Sequence, residues 1–447
     1  MERLFPLGIL FLLLQPVRGT EYFVAPGGNN GSSGLDSQTA FQTIQHAFDV
    51  TKPGDTVTVL DGVYHESVHL YHSGAKDQPI TIRSRSHWGA KVIGNGNPQD
   101  CFTIGGPDAI GVCYITIEDF DLSAPQTYGC GVYSSNQAHH ITVDKVYAHD
   151  CGSSGIQLND GDYRIARENV CARNAWLMPY CGSGISFYGL IKADDAPGFH
   201  TVISGNVCYA NDNGPTTKTT DGNGIIVDDF RDGQVYHTTK PPPQIHYTGA
   251  DTLVEGNLTF HNGGKGIQIY MSNHVKVINN TSADNMTRGN QLTDCGEIAA
   301  SCSDDVLVAN NIAITATRPV PAGYLGKPNG SYLILSNPGQ EYGANVTFFH
   351  NLAQDVNNPS ATPINATGLQ ADFLSSGGNL PNTDPRLLNA KAPELSDRNL
   401  SPTTDFASYF GLATGSPALG AGSQVAGSSI AQGSAIDLGA FQQHQAP

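Results

Sequence analysis

The sequence predicts an all-β chain wound as a parallel β-helix, and three observations predict it. The first is a recurring strand segment. Gly152-Ser153-Ser154-Gly155-Ile156-Gln157-Leu158, Gly182-Ser183-Gly184-Ile185-Ser186-Phe187-Tyr188, Gly222-Asn223-Gly224-Ile225-Ile226-Val227-Asp228 and Gly263-Gly264-Lys265-Gly266-Ile267-Gln268-Ile269-Tyr270 share a tight entry and an alternating apolar core. The second is a recurring asparagine. Asn169, Asn206, Asn257, Asn280, Asn311 and Asn351 each follow a short strand, and Asn174, Asn211, Asn262 and Asn285 lie five residues after the first four. Lys145 and Asp150 hold the corresponding places one rung earlier. The asparagine step is as short as 23 residues, from Asn257 to Asn280. A period of that size, made of short strands and turns, belongs to a coil whose rungs stack at the ordinary strand spacing of about 4.8 Å. Stacked Asn side chains then hydrogen-bond along the coil as a ladder and satisfy turn backbone groups. The third observation is composition. With 51 Gly and only 14% charged residues, the chain suits strands and tight turns better than amphipathic helices.

Each element follows in order. Met1-Glu2-Arg3, the apolar run Leu4 to Leu14 and the closing Arg18-Gly19 have the form of a secretory leader, too short to span a bilayer. Residues 1–19 are therefore read as a signal peptide, and a secreted mature chain is expected. From Tyr22 to Glu66 the order is strand, loop, helix, strand. The helix, Ala40 to Val50, turns Phe41, Ile44, Ala47 and Phe48 to one face and is expected to cap the open end of the coil. Short apolar strands recur from Ile80, and residues 20–378 are expected to form the capped coil. Residues 379–447, rich in Pro, Ser, Asn and Ala in their first half, are expected to return along it as a tail.

There are nine Cys, all from Cys101 to Cys302, and disulfides are the default reading in an exported chain. The repeat stacks Cys171 on Cys208, as a disulfide or as two free thiols, and Cys295 and Cys302 are near enough to close a loop. Glycosylation triplets include Asn30, Asn257, Asn280, Asn345 and Asn399. The formal charge of −17 argues against nucleic acid or an anionic membrane as partner. It also means that an acidic polymer would need local cations or a bound metal. A monomer is expected.

Tyr22-Phe23-Val24-Ala25-Pro26-Gly27-Gly28, Thr43-Ile44-Gln45-His46-Ala47, Pro53-Gly54-Asp55-Thr56-Val57, Gly62-Val63-Tyr64-His65-Glu66 and the closing Asp437-Leu438-Gly439-Ala440-Phe441 resemble secreted right-handed parallel β-helix proteins. Within that group they resemble polysaccharide lyases, notably family-nine pectate lyases and the alginate and chondroitin lyases of the same coil. The resemblance covers nearly the whole mature chain. It implies a right-handed coil and, for family nine, an Asp-Asp-x-x-Asp calcium motif with a catalytic lysine about one rung on. Asp228-Asp229-Phe230-Arg231-Asp232 has that spacing. Its phase differs, because the family motif opens the strand, where this chain has Asn223-Gly224-Ile225-Ile226. The family lysine's column falls on Gln268, with Lys265 one outward position earlier.

Alternation along the recurring strand gives three outward columns. They are Ser154, Ser183, Asn223, Lys265; Gln157, Ser186, Ile226, Gln268; and Asn159, Tyr188, Asp228, Tyr270. The insertions Pro215–Asp221 and Arg231–Gly249 leave either end of the charged strand and would wall this polar, aromatic face. Such a face suits a sugar polymer. A uronate polymer is cleaved by β-elimination when a base takes the proton next to the carboxylate and a cation neutralises the developing charge. Lys265, Lys218 and Tyr188 are the candidates for proton transfer. A lysine needs burial or a neighbouring cation to come down from about 10.4. Asp221, Asp228, Asp229 and Asp232 are oxygen donors of the kind calcium takes, provided the strand bends between adjacent Asp228 and Asp229. Asn159, Asn223, Gln268, Tyr270, Arg231 and His261 are the candidate substrate contacts. The sequence thus points to a lyase of pectate or alginate with calcium as a possible cofactor. An inverting glycoside hydrolase using two of the carboxylates, or a non-catalytic carbohydrate-binding coil, would also fit these residues.

Overall fold

The protein is described by a computed structural model over residues 19–96, 99–214, 221–230, 250–288, 296–315, 334–337, 345–356, 360, 363–366, 377–390, 395, 397–430 and 435–443. Among the described residues every strand-to-strand ladder is parallel, as a coil requires. Three walls carry the strands. Sheet A runs from Glu21–Val24 to Val346–Phe349, sheet B from Gly62–Tyr64 to Leu380–Pro381, and sheet C from Val68–Leu70 to Ile364–Ala366. One rung shows the order: Gly198–Ser204 in A, Val207–Tyr209 in B, Ile225–Asp228 in C. The strand Ile156–Arg167 passes from C to A without a break, bending at Asp160 (φ 47°) and Tyr163 (φ 46°). The core is built from stacked columns, of which Ile156, Ile185, Ile225, Ile267 and Ile298 form one, each at most 1% exposed. This is a parallel β-helix.

The turn from A to B is the most regular part. A residue with left-handed backbone precedes each ladder position: Lys145 (φ 53°), Glu168 (φ 53°), Gly205 (φ 65°), Gly256 (φ 67°) and Asn279 (φ 53°). From Glu168 onward the next residue is the ladder asparagine. In Asn206, Oδ1 accepts from the backbone and side-chain N–H of Asn169, while Nδ2 donates to Ala166 O and to Asn257 Oδ1. The same pattern runs through Asn257, Asn280, Asn311 and Asn351 to Asn379. Asn257 and Asn280 are fully buried, so their glycosylation triplets are closed to modification in the folded chain, whereas Asn345 and Asn399 are exposed.

A second ladder follows the B strands through Asn174, Asn211, Asn262 and Asn285. The places one rung earlier correct the sequence reading. Val146 and Cys151 occupy them, giving their N–H groups to Asn169 and Asn174. Lys145 and Asp150 lie one residue earlier, because those are the left-handed turn positions. Beside the second ladder runs a glycine column, Gly155, Gly184, Gly224 and Gly266. A Cβ on Gly184 would lie 2.7 Å from Asn211 Nδ2. The column ends at Glu297, whose carboxylate replaces the next asparagine, accepting from Asn285 N (3.0 Å), Asn285 Nδ2 (2.6 Å) and Ser282 Oγ (2.8 Å).

The cap helix is Ile44–Asp49, shorter than the Ala40–Val50 expected. Phe41 is taken up in a parallel bridge to Val24, and Thr43 is the extended N-cap that receives His46 N–H. The Glu66 carboxylate also accepts Ile44 and Gln45 N–H. Among the described cysteines none is in a disulfide, which corrects the default reading. Cys171 and Cys208 are register partners, but both are buried free thiols packed as small apolar groups. Cys295 lies outside the described residues. The tail packs Phe406 and Phe410 on Tyr209 and Phe260 of sheet B and Val425 on Leu253, Ile278 and Ala309 of sheet A. No helix among the described residues is long and apolar enough to cross a membrane.

Candidate functional site

Sheet C carries the three columns in the predicted register: Gln157, Ser186, Ile226 and Gln268 align, as do Asn159, Tyr188, Asp228 and Tyr270. The first column is not a solvent face. Ser154, Ser183, Asn223 and Lys265 are all fully buried. They form a third ladder, in which Ser154 Oγ accepts Ser183 N–H at 3.2 Å and Asn223 Oδ1 accepts Lys265 N–H at 2.7 Å. The second column locks onto the first. Asn223 Nδ2 donates to Gln268 Oε1 at 3.0 Å, and Ser154 Oγ to Gln157 Oε1 at 3.0 Å. Two predicted substrate contacts, Asn223 and Gln268, are thus bonded to each other. Lys265, expected to reach substrate as a base, is enclosed.

The third column is the accessible one. Asn159, Tyr188, Asp228 and Tyr270 are half-buried, so Asp228 stands one rung from a tyrosine on each side. The strand then leaves the sheet through left-handed backbone: Asp160, Gly189 (φ 63°), Asp229 (φ 60°), Met271 (φ 46°) and Cys302 (φ 52°) stack there. The bend required between Asp228 and Asp229 is therefore present, as a property of the turn in rungs with quite different side chains. Asp229 is nearly buried, and its N–H donates to Tyr270 O at 2.9 Å. Asp221 reaches back to the preceding rung and accepts Cys181 N–H at 2.8 Å.

These groups share one electrostatic neighbourhood. Burial, then the Asp221 and Asp229 carboxylates, push the Asp228 carboxyl up to about 8. Burial, then Asp221 and Asp228, push the Cys181 thiol to about 11. Such a carboxyl holds its proton at neutral pH and is able to give it away. The participation of Cys181 had no signal in the sequence, because its contact with Asp221 joins different rungs. His261 stands apart from the column, in left-handed backbone after sheet B, with Nε2 2.9 Å from Asp284 Oδ2. Lys218, Arg231 and Asp232 lie outside the described residues. Among the described residues no group of three or more His, Cys, Asp or Glu side chains is arranged to hold a metal, so Asp221, Asp228 and Asp229 do not by themselves make a calcium cage.

No protein-family model matches the chain. Over 130 residues it is 28% identical to YwoF, an uncharacterized protein of Bacillus subtilis strain 168, a match spanning 28% of this chain and 28% of that protein. Among solved structures it is similar to pectate lyase Pel9A, at 18% identity and TM-score 0.52, over 94% of this chain and 96% of that one. A glycoside hydrolase aligns at 11% identity and TM-score 0.49, over 79% of this chain and 100% of that one. A lacto-N-biosidase from Eubacterium ramulus aligns at 16% identity and TM-score 0.47, over 75% of this chain and 56% of that one. At these identities the likeness to Pel9A is one of fold, and it agrees with the parallel β-helix read from the strand register.

Proposed function

We propose that this chain is a secreted polysaccharide lyase that cleaves a uronate-containing polymer on the outer face of sheet C. The observation that carries the reading is the third column, where a carboxyl pushed up to about 8 stands between two tyrosines in register. In β-elimination Tyr188, as its phenolate, takes the proton beside the uronate carboxylate and is left as the phenol. Asp228, protonated at neutral pH, gives its proton to the departing glycosidic oxygen. Tyr270 supplies ring surface for the sugar on the other side. Lys265 is enclosed and takes no direct part. Calcium belongs to the proposal only through Asp232 or the substrate's own carboxylates completing the Asp221/Asp229 pair, where it would neutralise charge while Asp228 keeps its proton.

One observation favours hydrolysis as a second reading. Burial, then the Asp221 and Asp229 carboxylates, drive Asp228 up, and such a split assigns an acid and a base. An inverting hydrolase would use Asp228 as acid and Asp221 or Asp229 to activate water.

The test is incubation of the full chain with pectate, alginate and a neutral glycan, with and without chelator. Ultraviolet-absorbing unsaturated ends that vanish in Tyr188→Phe and Asp228→Asn support the lyase. Reducing ends without that absorbance replace it with the hydrolase, and no cleavage of any polymer sinks both.

A further inference from the structure

A cleft lies away from the sheet C column, where the B strands turn toward C. It is open, with a volume of about 400 Å³, and is lined by Pro125, Asp150, Arg173, Trp176, Arg398 and Asn399. Trp176 is 42% exposed, although it is one of only two tryptophans in the chain. Solvent-facing tryptophan in a concave site is the side chain that stacks on the apolar face of a sugar ring.

The charges favour an acidic sugar. The lining holds two guanidinium groups and one carboxylate, in a chain whose formal charge is −17. Arg173 is committed: its Nε and Nη2 donate to Asp150 at 2.9 and 2.7 Å, and Nη2 also to Tyr147 Oη. Arg398 is not neutralised in this way. Its Nη2 donates to Ala210 O, and its Nη1 is 3.8 Å from Asp212 Oδ2, a carboxylate already bonded to Arg288. With a side chain 57% exposed, Arg398 lines the same cleft as Trp176 and carries a guanidinium whose planar donors match a carboxylate. The exposed Asn399 amide stands next to it for hydroxyl groups.

The cavity is preformed. Arg173 Nη1 ties the coil to the tail through Arg398 O, and the Trp176 loop is pinned by Leu177 N–H to Gly152 O and Gly214 N–H to Met178 O. The same loop carries Cys181, whose N–H holds Asp221 of the sheet C site. Along the coil, the Arg173 rung immediately precedes the Asp228 rung, one strand spacing of about 4.8 Å below it.

We infer that the Trp176–Arg398 cavity binds a uronic acid residue of the polymer at a site separate from the cleavage column, with Trp176 stacking on the ring and Arg398 pairing with the carboxylate. The choice of a uronate rests on the proposed function, and the test keeps the two apart by reading binding in an Asp228→Asn background. The full chain carrying Asp228→Asn is run by affinity electrophoresis through polygalacturonate, alginate and neutral xylan, with melting temperature checking each variant's fold.

Retardation by a polyuronate, weakened about tenfold by Trp176→Ala and by Arg398→Gln and partly restored in Trp176→Phe, is the expected result. That result with no cleavage by the unsubstituted chain keeps the cavity and overturns the lyase. Cleavage by the unsubstituted chain, with retardation unaltered by both substitutions, overturns the cavity and keeps the lyase. Equal retardation by xylan, indifferent to Arg398→Gln, overturns the uronate assignment.

Discussion

The turn from sheet A to sheet B and the turn from sheet B to sheet C face opposite demands. The first is two residues long, a left-handed residue and an asparagine, and it keeps one solution from Asn169 to Asn379. The second starts with its own asparagine ladder, but that ladder stops at Glu297, and its loops carry Trp176, Cys181 and Asp221. A turn that repeats one hydrogen-bond pattern has no freedom left for chemistry. A turn that need only return the chain to the next strand has room for a site. Burial marks the contrast: the ladder asparagines are satisfied by each other, whereas Asp228 is crowded by like charges.

The largest expected effect separates the two turns by activity. Asp228→Asn is expected to lower turnover about 10²–10⁴-fold without lowering the melting temperature. The sign follows from its raised carboxyl. The native chain holds that proton more tightly than the unfolded chain, so stability is lost as pH rises from the ordinary carboxylate range toward about 8. The Asn variant does not lose it, and at pH 8.5 it should melt at or above the unsubstituted chain.

Asn257→Ala is the converse. It removes the acceptor of Asn206 N–H and Nδ2–H and the donor to Ile203 O and Asn280 Oδ1, all buried. A stability loss of about 3 kcal/mol or more is expected from the groups left unpaired. Denaturant unfolding measures it, while activity per folded molecule stays unchanged.

Glu297→Gln probes the point where the two patterns meet. Burial pushes this carboxyl up to about 8, against its bonds to Asn285 and Ser282. The unsubstituted chain should therefore lose stability on the order of a few kcal/mol as pH rises from about 4.5 through 8. The variant should show a flatter melting profile over that range. An unchanged slope would show that Glu297 does not titrate there.

The smallest effect is Lys145→Gly. Lys145 holds the left-handed position that Gly205 and Gly256 fill in later rungs. Glycine removes the steric cost of that backbone at some entropic cost, for a net gain of about 0.5 kcal/mol. Loss of stability would mean that the weak contact of Lys145 with Glu168, at 3.7 Å, outweighs the backbone.

The sequence by itself determined the coil and its ladders. Asn257 and Asn280 are readable because a stacked position must repeat the same side chain to bond to itself, and the period then appears in the chain. The outward columns of sheet C were readable for the same reason, since strand alternation is local. What alternation does not tell is whether an outward side chain meets solvent. Only the tertiary structure decided that Asn223 and Gln268 bond to each other, that Lys265 is enclosed, and that Asp228 is left half-buried among carboxylates. The same holds for Arg398, which the tail brings to Trp176 across more than 200 positions of chain. Periodicity is written in neighbouring residues, whereas burial and charge depend on what the rest of the chain lays over them.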